Sequence, residues 1–167
     1  GRMGVGTNRI NAIMLGKATR AISRYLIARY EAPAMVIGYD TRHNSREYAI
    51  GIAKVFAQCG VSSCLFAEPT PVPVVSFAVR HLRLNGGIMI KQYMEAEPTF
   101  PKGAEKDLTA GAKTGTISFL GEDIKEAYLA ALQRETLWWT DDPAHCREAL
   151  GELRVCYTPL NGCGRDY

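Results

Sequence analysis

The chain has 167 residues, 47% of them hydrophobic and 22% charged, with a formal net charge of +3. This is the length of one ordinary domain and a little more, with a globular balance that excludes intrinsic disorder. The basic residues are dispersed, with no run that interleaves aromatics, and no apolar run is long enough to span a bilayer. Neither a nucleic-acid nor a membrane partner is therefore expected.

The chain opens on Gly1-Arg2-Met3-Gly4-Val5-Gly6-Thr7-Asn8-Arg9, a glycine-rich loop whose backbone can turn sharply and approach a ligand. It follows no strand, so it lacks the context of a dinucleotide or P-loop fingerprint. Ile10, Ile13, Met14, Ala18, Ala21, Ile22 and Tyr25 recur near the 3.6-residue period. They predict a helix over 11–30 with that face inward, stopped by Pro33. The apolar run 35–39 reads as a buried strand, and Asp40-Thr41-Arg42-His43 as the loop after it. Asn44 with Glu47 three residues on is a capping-box pattern. The helix it would open carries Tyr48, Ile52, Val55, Phe56 and Cys59 on one face, and Gly60 is a natural stop.

Residues 62–67 read as a second strand. Pro69-Thr70-Pro71-Val72-Pro73 is a rigid turn that can open a helix. Val74, Phe77, Ala78, His81 and Leu82 supply its inner face, Asn85-Gly86-Gly87 break it, and 88–90 form a third strand. Alternating helices and strands predict an α/β fold, a three-layer α/β/α sandwich around a mixed, mostly parallel sheet. Ligands in such sheets sit at the carboxyl ends of the strands. Here those ends are 40–43, 68–70 and the residues just after Ile90.

The stretch 91–116 is polar, rich in Gly, Pro, Lys and Glu, and without a period, which is unusual inside a compact domain. Order resumes with a strand over 117–120. A helix is expected over 121–137, with Ile124, Ala127, Tyr128, Ala131 and Leu132 on one face. Residues 138–143 read as a linker, 143–150 as a short helix and 153–157 as a strand before a second glycine-rich turn.

The five cysteines are an odd number without CxxC spacing, which excludes a disulfide framework and a zinc site. Free thiols fit a reducing cytoplasm, and no signal-peptide pattern opens the chain. His81 and His145 lack metal-ligand spacing. Glu122 and Asp123 fall in a helix's first turn, where acidic residues suit the dipole.

Several motifs in order carry a resemblance. Gly1 to Asn11, Ile37-Gly38-Tyr39-Asp40-Thr41-Arg42-His43-Asn44-Ser45-Arg46-Glu47, Pro69 to Arg80, Gly86-Gly87-Ile88-Met89-Ile90, Leu120-Gly121-Glu122-Asp123-Ile124 and Tyr157-Thr158-Pro159-Leu160-Asn161-Gly162 resemble successive stations of the α-D-phosphohexomutases, the phosphoglucomutase/phosphomannomutase family. The resemblance implies a domain I over 1–140, with 91–116 contracted, and a linker and the start of domain II over 141–167. It implies intramolecular phosphoryl transfer on hexose phosphates through a phosphoserine. A complete member would use Mg²⁺ to neutralise the transferring group.

This chain departs where the chemistry lies. After the Gly-Ile-Met-Ile strand the family places Thr-Ala-Ser-His-Asn-Pro, whose serine carries the phosphoryl group. Here Ile90 runs into Lys91-Gln92-Tyr93, a triplet that resembles the segment after that loop in relatives. Either the residues are absent from the chain, or a mobile loop was left out of the sequence as read. The metal, sugar and phosphate motifs of later domains are also missing, so the chain reads as a truncated member, inactive in this form, with no catalytic residue and no cofactor of its own. The phosphate-side candidates are Asn8, Arg9, Arg42, His43, Lys91 and Tyr93. A phosphosugar is the expected ligand. The alternative is a non-catalytic remnant that binds a partner or self-associates through the surface facing domain II, where Trp138 and Trp139 stand.

Overall fold

The structure is a computed structural model that describes residues 9–91, 116–135, 154, 156–158 and 162–164. Among them the order is α1 (Ala12–Ile27), β1 (Ala34–Tyr39), α2 (Ser45–Gln58), β2 (Ser62–Phe66), α3 (Val72–His81), β3 (Gly86–Ile90), β4 (Ile117–Leu120) and α4 (Glu122–Glu135). The strands form one sheet in the order β3-β1-β2-β4. All three pairings are parallel, so no antiparallel member of the expected mixed sheet stands among the described residues.

Parallel strands need crossovers, and the helices supply them on both faces. One face buries Ile37, Tyr39, Leu65 and Ile117 under Leu26 of α1 and Ala49, Ile52 and Phe56 of α2. The other buries Val36 and Phe66 under Val74, Val75 and Ala78 of α3 and Ile124 of α4. This is the expected three-layer α/β/α arrangement. Burying each large side chain contributes about 1.5–3 kcal/mol.

Two glycines let α3 lie close to the sheet. A Cβ on Gly38 of β1 would stand 2.4 Å from Val75 Cγ2, and one on Gly87 of β3 would stand 2.8 Å from Val79 Cγ2. Gly86 and Gly87 therefore belong to β3 itself, where the sequence pattern expects a helix breaker. Asn85 does end the turn before it, its side-chain oxygen accepting from the Ala34 amide at 2.8 Å. Gly60, at φ +80, ends α2 as expected.

Helix α1 departs from the expected facing. It buries Thr19, Ser23 and Leu26, while Ile13, Ile22 and Tyr25 are exposed. The hydroxyls explain how a polar face can turn inward. Thr19 donates to the Leu15 carbonyl and Ser23 to the Thr19 carbonyl, each at 2.8 Å, so neither loses a hydrogen bond on burial. Small side chains also let α1 settle onto α2. On α4, of the expected inner face, only Ile124 is fully buried and Leu132 is exposed. Residues 138–150 lie outside the described residues. Arg154, Cys156 and Tyr157, from the strand expected over 153–157, stand in no strand; none of the described pairings includes them.

Candidate functional site at the carboxyl ends of the strands

The carboxyl ends of the four strands are tied together beyond their ladders. The Asp40 amide donates to the Ile90 carbonyl at 3.2 Å, the Thr70 amide to the Tyr39 carbonyl at 2.9 Å, and the Ala67 amide to the Leu120 carbonyl at 3.1 Å. The Tyr39 hydroxyl adds a 2.6 Å bond to the Ala67 carbonyl. These links set the rim from which every loop of the site departs.

Asp40 organises the first loop. Its carboxylate accepts from the Arg42 amide at 3.2 Å and from the Ser45 hydroxyl at 2.7 Å. It also pairs with the Arg42 guanidinium, Nε to Oδ2 at 3.3 Å. The sequence assigned the start of α2 to an Asn44–Glu47 capping box. Asn44 instead has φ 62 and makes no side-chain cap bond. A left-handed backbone cannot take the extended N-cap geometry. The signal for Asp40 was available: an acid five residues before a serine that opens a helix.

Register places Lys91 beside this loop. Tyr39 is paired with Ile90, so the next residue of each strand, Asp40 and Lys91, follows side by side. Arg42, His43 and Lys91 are all exposed there. Arg42 is partly matched by Asp40, so its charge is shared between the loop and any anion. Arg9 is exposed just before α1, where its carbonyl accepts from the Asn11 side chain at 3.4 Å. Asn8 and Tyr93 lie outside the described residues.

Two hydroxyls near the rim are both buried and engaged. Ser45 is buried and donates to Asp40; Thr70 is buried and donates to the Glu68 carbonyl at 2.9 Å. The Tyr39 phenol is held neutral to higher pH than usual, first because burial disfavours the phenolate, with Arg46 opposing. Sequence reasoning missed a small cavity of about 250 Å³ at the ends of β2 and β4, lined by Glu68, Thr70, Glu122 and Lys125 among others. In it Lys125 pairs with Glu122 at 3.2 Å. Among the described residues no group of three or more His, Cys, Asp or Glu side chains could hold a metal ion. No described helix is long and apolar enough to cross a membrane.

A parallel crossover sheet with its loops gathered at one rim defines an α/β domain. The sequence model of the family described as phosphoglucomutase/phosphomannomutase, alpha/beta/alpha domain I, matches residues 1–92. The chain belongs to that family. It is 33% identical over 131 residues to a phosphoglucomutase of Staphylococcus epidermidis, covering 74% of this chain and 24% of the relative. It is 40% identical over 90 residues to a phosphoglucomutase of Staphylococcus aureus strain USA300, covering 54% of this chain and 16% of the relative. The chain thus spans about a quarter or less of the length of these relatives. A crystal structure of a Thermus thermophilus protein assigned as a phosphomannomutase is 34% identical with a TM-score of 0.47, covering 52% of this chain and 20% of that one.

Proposed function

We propose that this chain is a phosphohexomutase domain I, over residues 1–140, that can hold a sugar phosphate but cannot transfer its phosphoryl group. One observation carries the reading: β3 ends at Ile90 and Lys91 follows directly, with no residue between them to carry a hydroxyl. Covalent phosphoryl transfer needs a positioned nucleophile with a base in reach. Ser45 and Thr70, buried and committed to Asp40 and the Glu68 carbonyl, do not supply one. Arg42, His43 and Lys91 remain to meet a phosphate at the rim, and cations at such a site attract an anion without any covalent step. The free thiols of Cys59, Cys64, Cys156 and Cys163 fit a reducing cytoplasm.

The test has two arms. Purified protein with glucose 1-phosphate should yield no glucose 6-phosphate; measurable conversion overturns the reading. In thermal unfolding, a hexose phosphate at a hundred times its dissociation constant should stabilise the fold by about 2.7 kcal/mol. The Arg42→Ala/Lys91→Ala double variant should lose that gain. The second reading is a non-catalytic remnant that binds a partner or self-associates. It is favoured by the apolar groove of about 480 Å³ between α3 and α4, where Tyr157 and Leu132 are exposed. It predicts no ligand shift and a mass in sedimentation that rises with concentration.

A further inference from the structure

We propose that the outward face of α1 is a docking surface for an anionic lipid membrane, on which the helix lies without spanning it. The proposal does not rest on the sugar-phosphate site. Three observations meet on this helix. First, three apolar residues that periodicity assigned to its core face are outside: Ile13 is 72% exposed, Tyr25 55% and Ile22 36%, and Ile27 is 48% exposed as well. Second, residues 10–30 hold Lys17, Arg20, Arg24 and Arg29 and not a single Asp or Glu. Three of the four stand on α1 itself and Arg29 follows two residues after its end, so this segment is purely cationic. All four are exposed. Third, the Arg29 guanidinium lies 3.7 Å from the centroid of the Tyr25 ring, joining an interfacial aromatic to a cation.

Charge decides the occupant. A second copy would bring four cations against four, which is repulsive. An anionic surface is complementary, and basic side chains flanking exposed aliphatic and aromatic ones are the pattern of helices that lie in a headgroup layer. The absence of a spanning helix, which led the sequence to exclude a membrane partner, does not bear on a helix lying flat.

The test is co-sedimentation of the full chain with phosphatidylcholine vesicles, alone and containing phosphatidylserine. Binding is expected only to the second kind, and should fall as salt rises. Each basic side chain near such a surface contributes about fivefold, so Arg20→Glu with Arg24→Glu should weaken binding at least about thirtyfold. Ile22→Ser with Tyr25→Ser should weaken it as well. All four positions are exposed, and circular dichroism checks that the fold is kept. No binding to the phosphatidylserine vesicles overturns the proposal, as does equal binding to neutral ones. So does loss in the charge variant alone, which would leave only general attraction of a cation. Capture by soluble polyglutamate in place of vesicles would assign the face to an acidic protein and overturn it too.

Discussion

The amide of Asp40 donates to the carbonyl of Ile90 at 3.2 Å, closing the ends of β1 and β3 into one rim. The last carbonyl of β3 is therefore held by a neighbouring strand at the point where the family inserts its serine loop. Trypsin tests the connection directly. Cleavage after Arg83 and after Lys91 should release Leu-Asn-Gly-Gly-Ile-Met-Ile-Lys, with Ile90 bonded to Lys91. A longer peptide carrying a serine between them, and above all a phosphoserine, would sink the inactive reading and leave an ordinary mutase domain.

Close approach of α3 makes Gly38 intolerant. Its Cβ would stand 2.4 Å from Val75 Cγ2 and 3.3 Å from the Met89 sulfur. Val75 is buried and short, so it has no free end to swing away. Gly38→Ala should cost about 1–3 kcal/mol as an overpacked core does, read as a lower urea midpoint with an unchanged slope. Gly16→Ala is the control, because nothing lies within 4 Å of its Cβ and it sits in α1. It should stabilise by up to about 1 kcal/mol.

Much of this fold was legible in the residues, for a physical reason in each case. The runs at 35–39, 62–66 and 117–120 are short and apolar because strands of a parallel sheet are covered on both faces. Gly60 and Asn85 mark turns because their backbone or side chain is needed there. The facing of α1 was not legible. Its apolar period is real, but Thr19 and Ser23 satisfy their hydroxyls on carbonyls one turn back and can be buried at little cost. Periodicity weighs hydroxyls as polar and cannot register that. The cap of α2 failed likewise: Asn44 has the right side chain, but its left-handed backbone makes no cap bond, and Asp40 instead holds the Ser45 hydroxyl at the start of the helix. Arg42, His43 and Lys91 could be placed at the strand ends from the sequence alone, and register brings Lys91 to the Asp40 loop.

Tyr39 gives the fold an alkaline limit. Burial raises its phenol above the ordinary value of 10.0, and Tyr48 is shifted the same way by the same cause. A group whose folded pKa is raised contributes stability in full below its unfolded pKa. That contribution is lost as pH rises through the folded value. Stability should therefore fall above about pH 10. Tyr39→Phe should lose about 1 kcal/mol at neutral pH, the worth of the bond to the Ala67 carbonyl. Its stability should then decline less steeply with pH than that of the parent chain. Equal slopes for the two proteins in urea titrations on either side of pH 10 would refute the assignment to Tyr39.

Ser63 is the test of polar burial in the core. It stands on β2 between Met35 and Ile117, which belong to the cluster under α1 and α2. Its side chain is 1% exposed, and its hydroxyl has no hydrogen-bond partner. A buried hydroxyl without a partner costs about 1–3 kcal/mol relative to one left in water. Ser63→Ala removes that group and adds no volume, so no overpacking offsets the gain. The variant should be as stable as the parent or more stable by about 1 kcal/mol, seen as a rise in Tm. Ser62, exposed at the start of the same strand, is the contrast. Water already satisfies its hydroxyl, so Ser62→Ala should change stability little, within about 0.5 kcal/mol. A marked loss for Ser63→Ala would mean that the hydroxyl has a partner in solution, such as an ordered water bridging β2 to a neighbouring strand.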